Sequence, residues 1–150
     1  MPVYTSPVTL AAISNMFPYM VDASKATGGG AVPSFVWYTF DPDANSFEIP
    51  SCGNLKVVPL PVVHGKYHYK GEKEEPYMCM GFRIGDMSYI SDVNEVPEET
   101  KMKIDGTRIL IIDALRQRPH PSHFGFDQVL PFAMEVIVGK GVYAVFESLA

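Results

Sequence analysis

The stretch Arg108–Leu130, RILIIDALRQRPHPSHFGFDQVL, decides how the chain is read. It opens on an apolar, β-branched run from Arg108 to Asp113 that ends in a carboxylate. Such a run reads as a buried strand that delivers a polar group at its C-terminal end. A loop rich in Arg and His follows, and Pro119 and Pro121 stiffen it. A helix is expected from Phe124 to Lys140, with Gly141 as its stop. Pro131 lies inside that helix and should bend it. Val142 to Phe146 reads as a last short strand.

Working outward, Leu55 to Val63 (LKVVPLPVV) is a long apolar run that predicts a central strand. Tyr77–Ile84 and Met87–Ile90 flank Gly85-Asp86, a two-residue hairpin signal. Pro97-Glu98-Glu99 starts a short helix with acids in its first turn. Near the start, Thr5-Ser6-Pro7 reads as an N-cap with proline in the first turn. Val8 to Met20 then predicts an amphipathic helix, with Leu10, Ile13, Phe17 and Met20 at helical spacing. Gly28-Gly29-Gly30 is a turn, Ser34 to Phe40 a strand, and Asp41 to Asn45 a turn cluster. The order predicts an α/β fold in which a mixed sheet packs against helices, as one domain over residues 1–150. Both edges of that domain read as cut, since the chain opens on a strand-like MPVYT and stops at ESLA soon after a strand.

Composition narrows the classes of function. With 150 residues, 47% hydrophobic and 19% charged, the chain can bury a core. A net charge of −5 argues against a surface built to neutralise nucleic-acid phosphates. No apolar run approaches the roughly 20 residues of a membrane span. The start, MPVYTSPVTL, lacks the pattern of a signal peptide, so a cytoplasmic protein is expected. Cys52 and Cys79 make no metal spacing and are expected as reduced thiols.

The chemistry-bearing residues gather in the second half. His64 directly follows the run LKVVPLPVV, where neutral imidazole could meet a metal. Taken alone it is more ordinarily a satisfied polar side chain, and His68, between two tyrosines, is read as an ordinary surface histidine. Asp92 follows the run MSYIS and Asp113 ends RILIID. Either carboxylate alone could simply form a turn or cap a helix. Three strand ends that each carry a metal-capable residue point to one edge of the sheet, which is more informative than any one of them. The loop Arg116–His123 adds two arginines and two histidines beside a helix N-terminus, a combination suited to a phosphate group. A rigid loop with a capping histidine is an equal alternative.

Together, PLPVVHGKYH, GDMSYISDVNEVPEET and ILIIDALRQRPHPSHFGFDQVL resemble the metallo-β-lactamase superfamily. The resemblance is strongest to its phosphodiesterase-like branch of cyclic-phosphate phosphodiesterases and their tRNA 3′-processing ribonuclease relatives. It covers Met1 to about Tyr143. It implies an αββα sandwich that binds two divalent metal ions, Zn or Mn. By this resemblance His64 matches a histidine ligand and Asp92 the carboxylate bridging the metals. His120 and His123 match the catalytic loop, with His123 as the residue that contacts the scissile phosphate or supplies the proton. Asp113 and Arg118 would stand behind the ligands or on the substrate side.

The sequence departs from the family pattern in two places. The HxHxDH motif, which supplies most of the ligands, is absent and is expected upstream of Met1, and no histidine follows His123. One His and one Asp are too few for a catalytic zinc. The expectation is a metal-dependent phosphodiester hydrolase of a small phosphorylated substrate, of which these residues hold part of the site and little activity alone. Other readings are a thioester or lactone hydrolase, since fold does not fix chemistry, RNA processing, and a non-catalytic module that forms a homodimer through an unpaired sheet edge.

Overall fold

A computed structural model describes residues 1–67, 74–136 and 143–147, the last as backbone. His68, the helical residues expected at 137–140, and the expected stop at Gly141 lie outside the described residues. The chain divides into two compact units, Met1–Ala44 and Asn45–Ala150.

In the first unit, β1 (Pro2–Thr5) is followed by α1 (Pro7–Met16), α2 (Pro18–Val21) and β2 (Val36–Thr39). Ser6 caps α1, its hydroxyl accepting from the Thr9 N–H at 3.2 Å, with Pro7 in the first turn. The single helix expected over Val8–Met20 is therefore two. Proline disfavours helical geometry in the residue before it, and Phe17 sits at φ −134°, ψ 63° ahead of Pro18. Strands β1 and β2 pair in parallel, Pro2 opposite Val36. The Trp37 indole donates to the Met20 carbonyl at 3.0 Å, and Tyr4 stacks on Tyr38 at 4.9 Å.

The second unit carries a six-stranded sheet in the order β3-β4-β5-β6-β7-β8. Its strands are β3 (Phe47–Ile49), β4 (Leu55–Tyr67), β5 (Glu75–Ile84), β6 (Met87–Ile90), β7 (Ile109–Asp113) and β8 (Tyr143–Glu147). Helix α3 (Glu98–Ile104) precedes β7, and α4 (Phe126–Val136) precedes β8. Pairing from β3 to β6 is antiparallel and from β6 to β8 parallel. Gly85, at φ +56°, opens the predicted β5–β6 hairpin. Gly81 lies opposite Leu60 where a side chain has no room, since a Cβ there would come within 2.8 Å of the Ile90 side chain and the Tyr89 carbonyl.

β4 departs from the expected central strand. It pairs with β3 only over Leu55–Val57, so beyond that point one of its edges has no further named strand beside it among the described residues. Pro59 and Pro61, which lack an N–H, face this edge, the usual place for proline in a sheet. Their carbonyls accept instead from Lys103 Nζ at 3.4 Å and Thr100 Oγ1 at 2.6 Å, while the Val63 N–H donates to the Glu95 carbonyl at 2.9 Å. β4 also runs past Val63 through His64 to Tyr67, with a register shift between Val63 and Lys66. The core is built from Leu60, Val62, Ile90, Leu110 and Ile112 of the sheet with Ile104, Val129 and Phe132 of the helices. Each such side chain contributes about 1.5–3 kcal/mol by leaving water. This packing fixes where the C-terminal ends of β4, β6 and β7 emerge from the core.

Candidate metal centre

Strands β4 and β6 both run antiparallel to β5, and β7 is parallel to β6. All three therefore end at one edge of the sheet, and each delivers a polar residue there. His64 reaches the edge from inside β4, at the register shift, rather than after the strand as expected. The backbone turns there because Gly65 adopts φ +80°, a conformation glycine takes without strain. Asp92 follows β6, and the Ser91 hydroxyl donates to its Oδ2 at 2.7 Å. His123 arrives from the loop between β7 and α4.

Backbone bonds to both sides hold that loop in place. The Phe124 N–H donates to the Val93 carbonyl at 2.6 Å, the Leu115 N–H to Phe124 at 3.0 Å, and the Phe126 N–H to Arg116 at 2.9 Å. Gly125 is required in this weave, because a Cβ there would meet the Arg118 carbonyl at 2.5 Å. The Arg116 side chain donates to the carbonyls of Arg118 and Pro119 at 3.2 and 2.6 Å, so it braces its own loop. Arg118 is exposed.

Donor atoms of His64, Asp92 and His123, all half-buried, lie within 4.8 Å of one another. The His64 and His123 rings meet edge to face at 4.6 Å. His64 Nδ1 is buried with no hydrogen-bond partner among the described residues, a costly state for a polar atom unless something occupies it. Asp113 is 6% exposed and stands behind His123. Its Oδ2 accepts from His123 Nδ1 at 2.6 Å and from the Val93 N–H at 3.2 Å. A carboxylate can only accept, so His123 carries a proton on Nδ1, and in the neutral ring Nε2 then holds the lone pair. This is the carboxylate–histidine arrangement that orients metal-binding imidazoles.

The His120 ring lies 5.3 Å from that of His123, tilted by 49°, and its Nδ1 accepts from the Ser122 N–H at 3.3 Å. Partial burial holds its imidazole below the ordinary histidine range, helped by the Arg116 guanidinium and by His123. A cavity of about 480 Å³ opens beside His64, lined also by Gly65, Lys66, Glu74, Pro121 and Ser122. Of the residues read from the sequence, His64, Asp92, His123 and Asp113 thus come together, His120 touches the group, and Arg118 does not. Asn94, which sequence reasoning passed over, bonds to two of the segments that meet here. Its only signal in the sequence is a polar amide two residues after Asp92.

The donor set of two imidazoles and a carboxylate suits Zn²⁺ or Mn²⁺. The partnerless His64 nitrogen is consistent with such an ion.

Comparison with known proteins bears on the fold and the family. A solved diphosphatase of the PhnP family superposes with a TM-score of 0.68 over 98% of this chain and 47% of its own, at 23% identity. The Zn²⁺-bound PqqB of Methylobacterium extorquens superposes with a TM-score of 0.52 over 79% of this chain and 39% of its own, at 21% identity. An octanoyltransferase of Porphyromonas gingivalis (strain ATCC BAA-308 / W83) is 30% identical over 78 residues, which are 51% of this chain and 14% of that protein. The chain thus spans less than half of each. The family model described as the β-lactamase superfamily domain matches residues 1–143. With a mixed sheet and helices consistent with part of an αββα sandwich, the chain belongs to the metallo-β-lactamase superfamily.

Proposed function

We propose that the protein is a metal-dependent hydrolase of small phosphodiesters and that these residues hold part of its site. The observation that carries this reading is the convergence of His64, Asp92 and His123 within 4.8 Å, with Asp113 bonded behind His123 at 2.6 Å. His64 and Asp92 would hold a divalent ion; two donors are fewer than the three protein ligands of a catalytic site, so His123 or further donors would complete it. When bound, such an ion lowers the pKa of a water and offsets charge on phosphate oxygens.

The remaining steps belong to this chain's own side chains. Asp113 fixes the tautomer of His123 and raises the basicity of its Nε2. His123 Nε2, the nitrogen not bonded to Asp113, either contacts the scissile phosphate, taking up and returning a proton, or serves as a third donor. The 4.8 Å grouping favours the third-donor role. His120 supports the ring of His123 and borders the phosphate. The cavity beside His64 is large enough for a small substituent on the phosphate. The net charge of −5 supports a small substrate over nucleic acid. Both cysteines are free, in keeping with the cytoplasm, and no described helix is long and apolar enough to cross a membrane.

The test is hydrolysis of bis(p-nitrophenyl) phosphate and of a 2′,3′-cyclic nucleotide by the chain loaded with Zn²⁺ or Mn²⁺. The reading expects slow turnover that disappears with chelator and in His64→Ala and Asp92→Ala. Turnover that survives chelator, or turnover only of a thioester or lactone, would overturn it.

A further inference from the structure

Asn94 is the only described residue whose side chain bonds both the β4 bulge and the histidine loop. Its Oδ1 accepts from the Gly65 N–H at 3.0 Å, next to His64. Its Nδ2 donates to the Pro121 carbonyl at 2.9 Å, between His120 and His123. Its own backbone N–H donates to the Val63 carbonyl at 2.8 Å, on the other side of His64. The partners fix which end of the amide is which, because Gly65 needs an acceptor and Pro121 a donor. Asn94 also sits two residues after Asp92.

We infer that Asn94 is a positioning residue, a clamp whose amide sets the spacing between His64 and His123 and so the size of the metal-binding group. The chemistry explains the residue type. Aspartate would set a carboxylate against the Pro121 carbonyl, and alanine or serine would reach neither partner. Gly65 completes the clamp. A Cβ at that position would lie 3.0 Å from the Ser122 Cβ, so the bulge and the loop are already in close contact. Gly65, Pro121 and Ser122 also form one wall of the cavity, so the clamp shapes the space a substrate would enter.

This inference rests on the metal reading of His64 and Asp92, and the experiment separates the two. Asn94→Ala is compared with wild type and with Thr100→Val. Thr100 loses only its part-buried bond to the Pro61 carbonyl, which touches neither the Gly65 bulge nor the histidine loop. Zn²⁺ affinity is measured by competition with a chromophoric chelator, and amide hydrogen exchange is measured without metal. The clamp predicts an affinity loss of about tenfold or more in Asn94→Ala and none in Thr100→Val. It also predicts faster exchange at Gly65 and over residues 119–123. Wild-type affinity in Asn94→Ala, or unchanged exchange there, overturns the clamp. A wild-type chain that takes up no Zn²⁺ overturns the metal reading, and the exchange result then decides the clamp alone.

Discussion

Replacing Asp113 with asparagine should damage metal binding far more than stability. Asp113 is 6% exposed, and its Oδ2 accepts from His123 at 2.6 Å and from Val93 at 3.2 Å. Asparagine keeps the shape and one acceptor, so both bonds can persist in neutral form. Bonds to a charged acceptor contribute about 1.5–3 kcal/mol and neutral ones about 0.5–1.5 kcal/mol. The loss is therefore about 1 kcal/mol for each of the two bonds, cut to about 1 kcal/mol in all because a neutral amide is easier to bury than a carboxylate. For a chain of this size that lowers Tm by only about 2–4 °C. The effect on His123 is larger in kind. Without the negative charge its Nε2 is less basic and its ring less firmly oriented, changes that typically weaken metal binding about 10–100-fold. Thermal unfolding and Zn²⁺ competition titration on the same samples read both quantities. Wild-type affinity at any Tm would refute the idea that Asp113 acts through His123.

Three further outcomes follow from the geometry. Gly65→Ala should cost about 1–2 kcal/mol from its φ of +80° alone, and should weaken metal binding by pushing Ser122 away; equilibrium unfolding and the same titration would show it. Gly81→Ala should destabilise the fold by about 1–3 kcal/mol, because its Cβ would sit 2.8 Å from Ile90 and the Tyr89 carbonyl; urea unfolding measures this, and a neutral result would mean that β5 and β6 yield easily. Burial, and then the Asp92 carboxylate, raises the Cys79 thiol above the ordinary range. The thiolate is the reactive form, so Cys79 should label with a thiol reagent more slowly than exposed Cys52 at pH 8 and gain rate as pH rises; mass spectrometry of labelled peptides would decide, and faster labelling of Cys79 would contradict its burial.

Much of this was readable from residues because the elements announce themselves locally. Gly85-Asp86 marks the hairpin, and the runs ending at Ile90 and Asp113 are strands with polar residues at their ends. Where reading failed, a longer-range or opposing effect decided. Pro18 splits the first helix through its effect on Phe17, against a good apolar spacing. β3 is only Phe47–Ile49, too short to show alternation. Pro59 and Pro61 look odd in a central strand and make sense once α3 lies along that edge. In the site, the residue types of His64, Asp92 and His123 were legible, but their convergence depends on Asp113 and Asn94 bonding across three segments. No sequence spacing encodes those bonds. Arg116 shows the converse, since its charge suggested phosphate and its side chain instead braces two carbonyls of its own loop.

The most direct test is metal content. The chain, purified without chelator and equilibrated with Zn²⁺ or Mn²⁺, should hold about one ion when counted by native mass spectrometry, as its three grouped donors allow. That ion should be lost in His64→Ala, Asp92→Ala and His123→Ala. No uptake by the wild-type chain, or uptake that survives loss of His64, would contradict the claim that these residues form a metal centre.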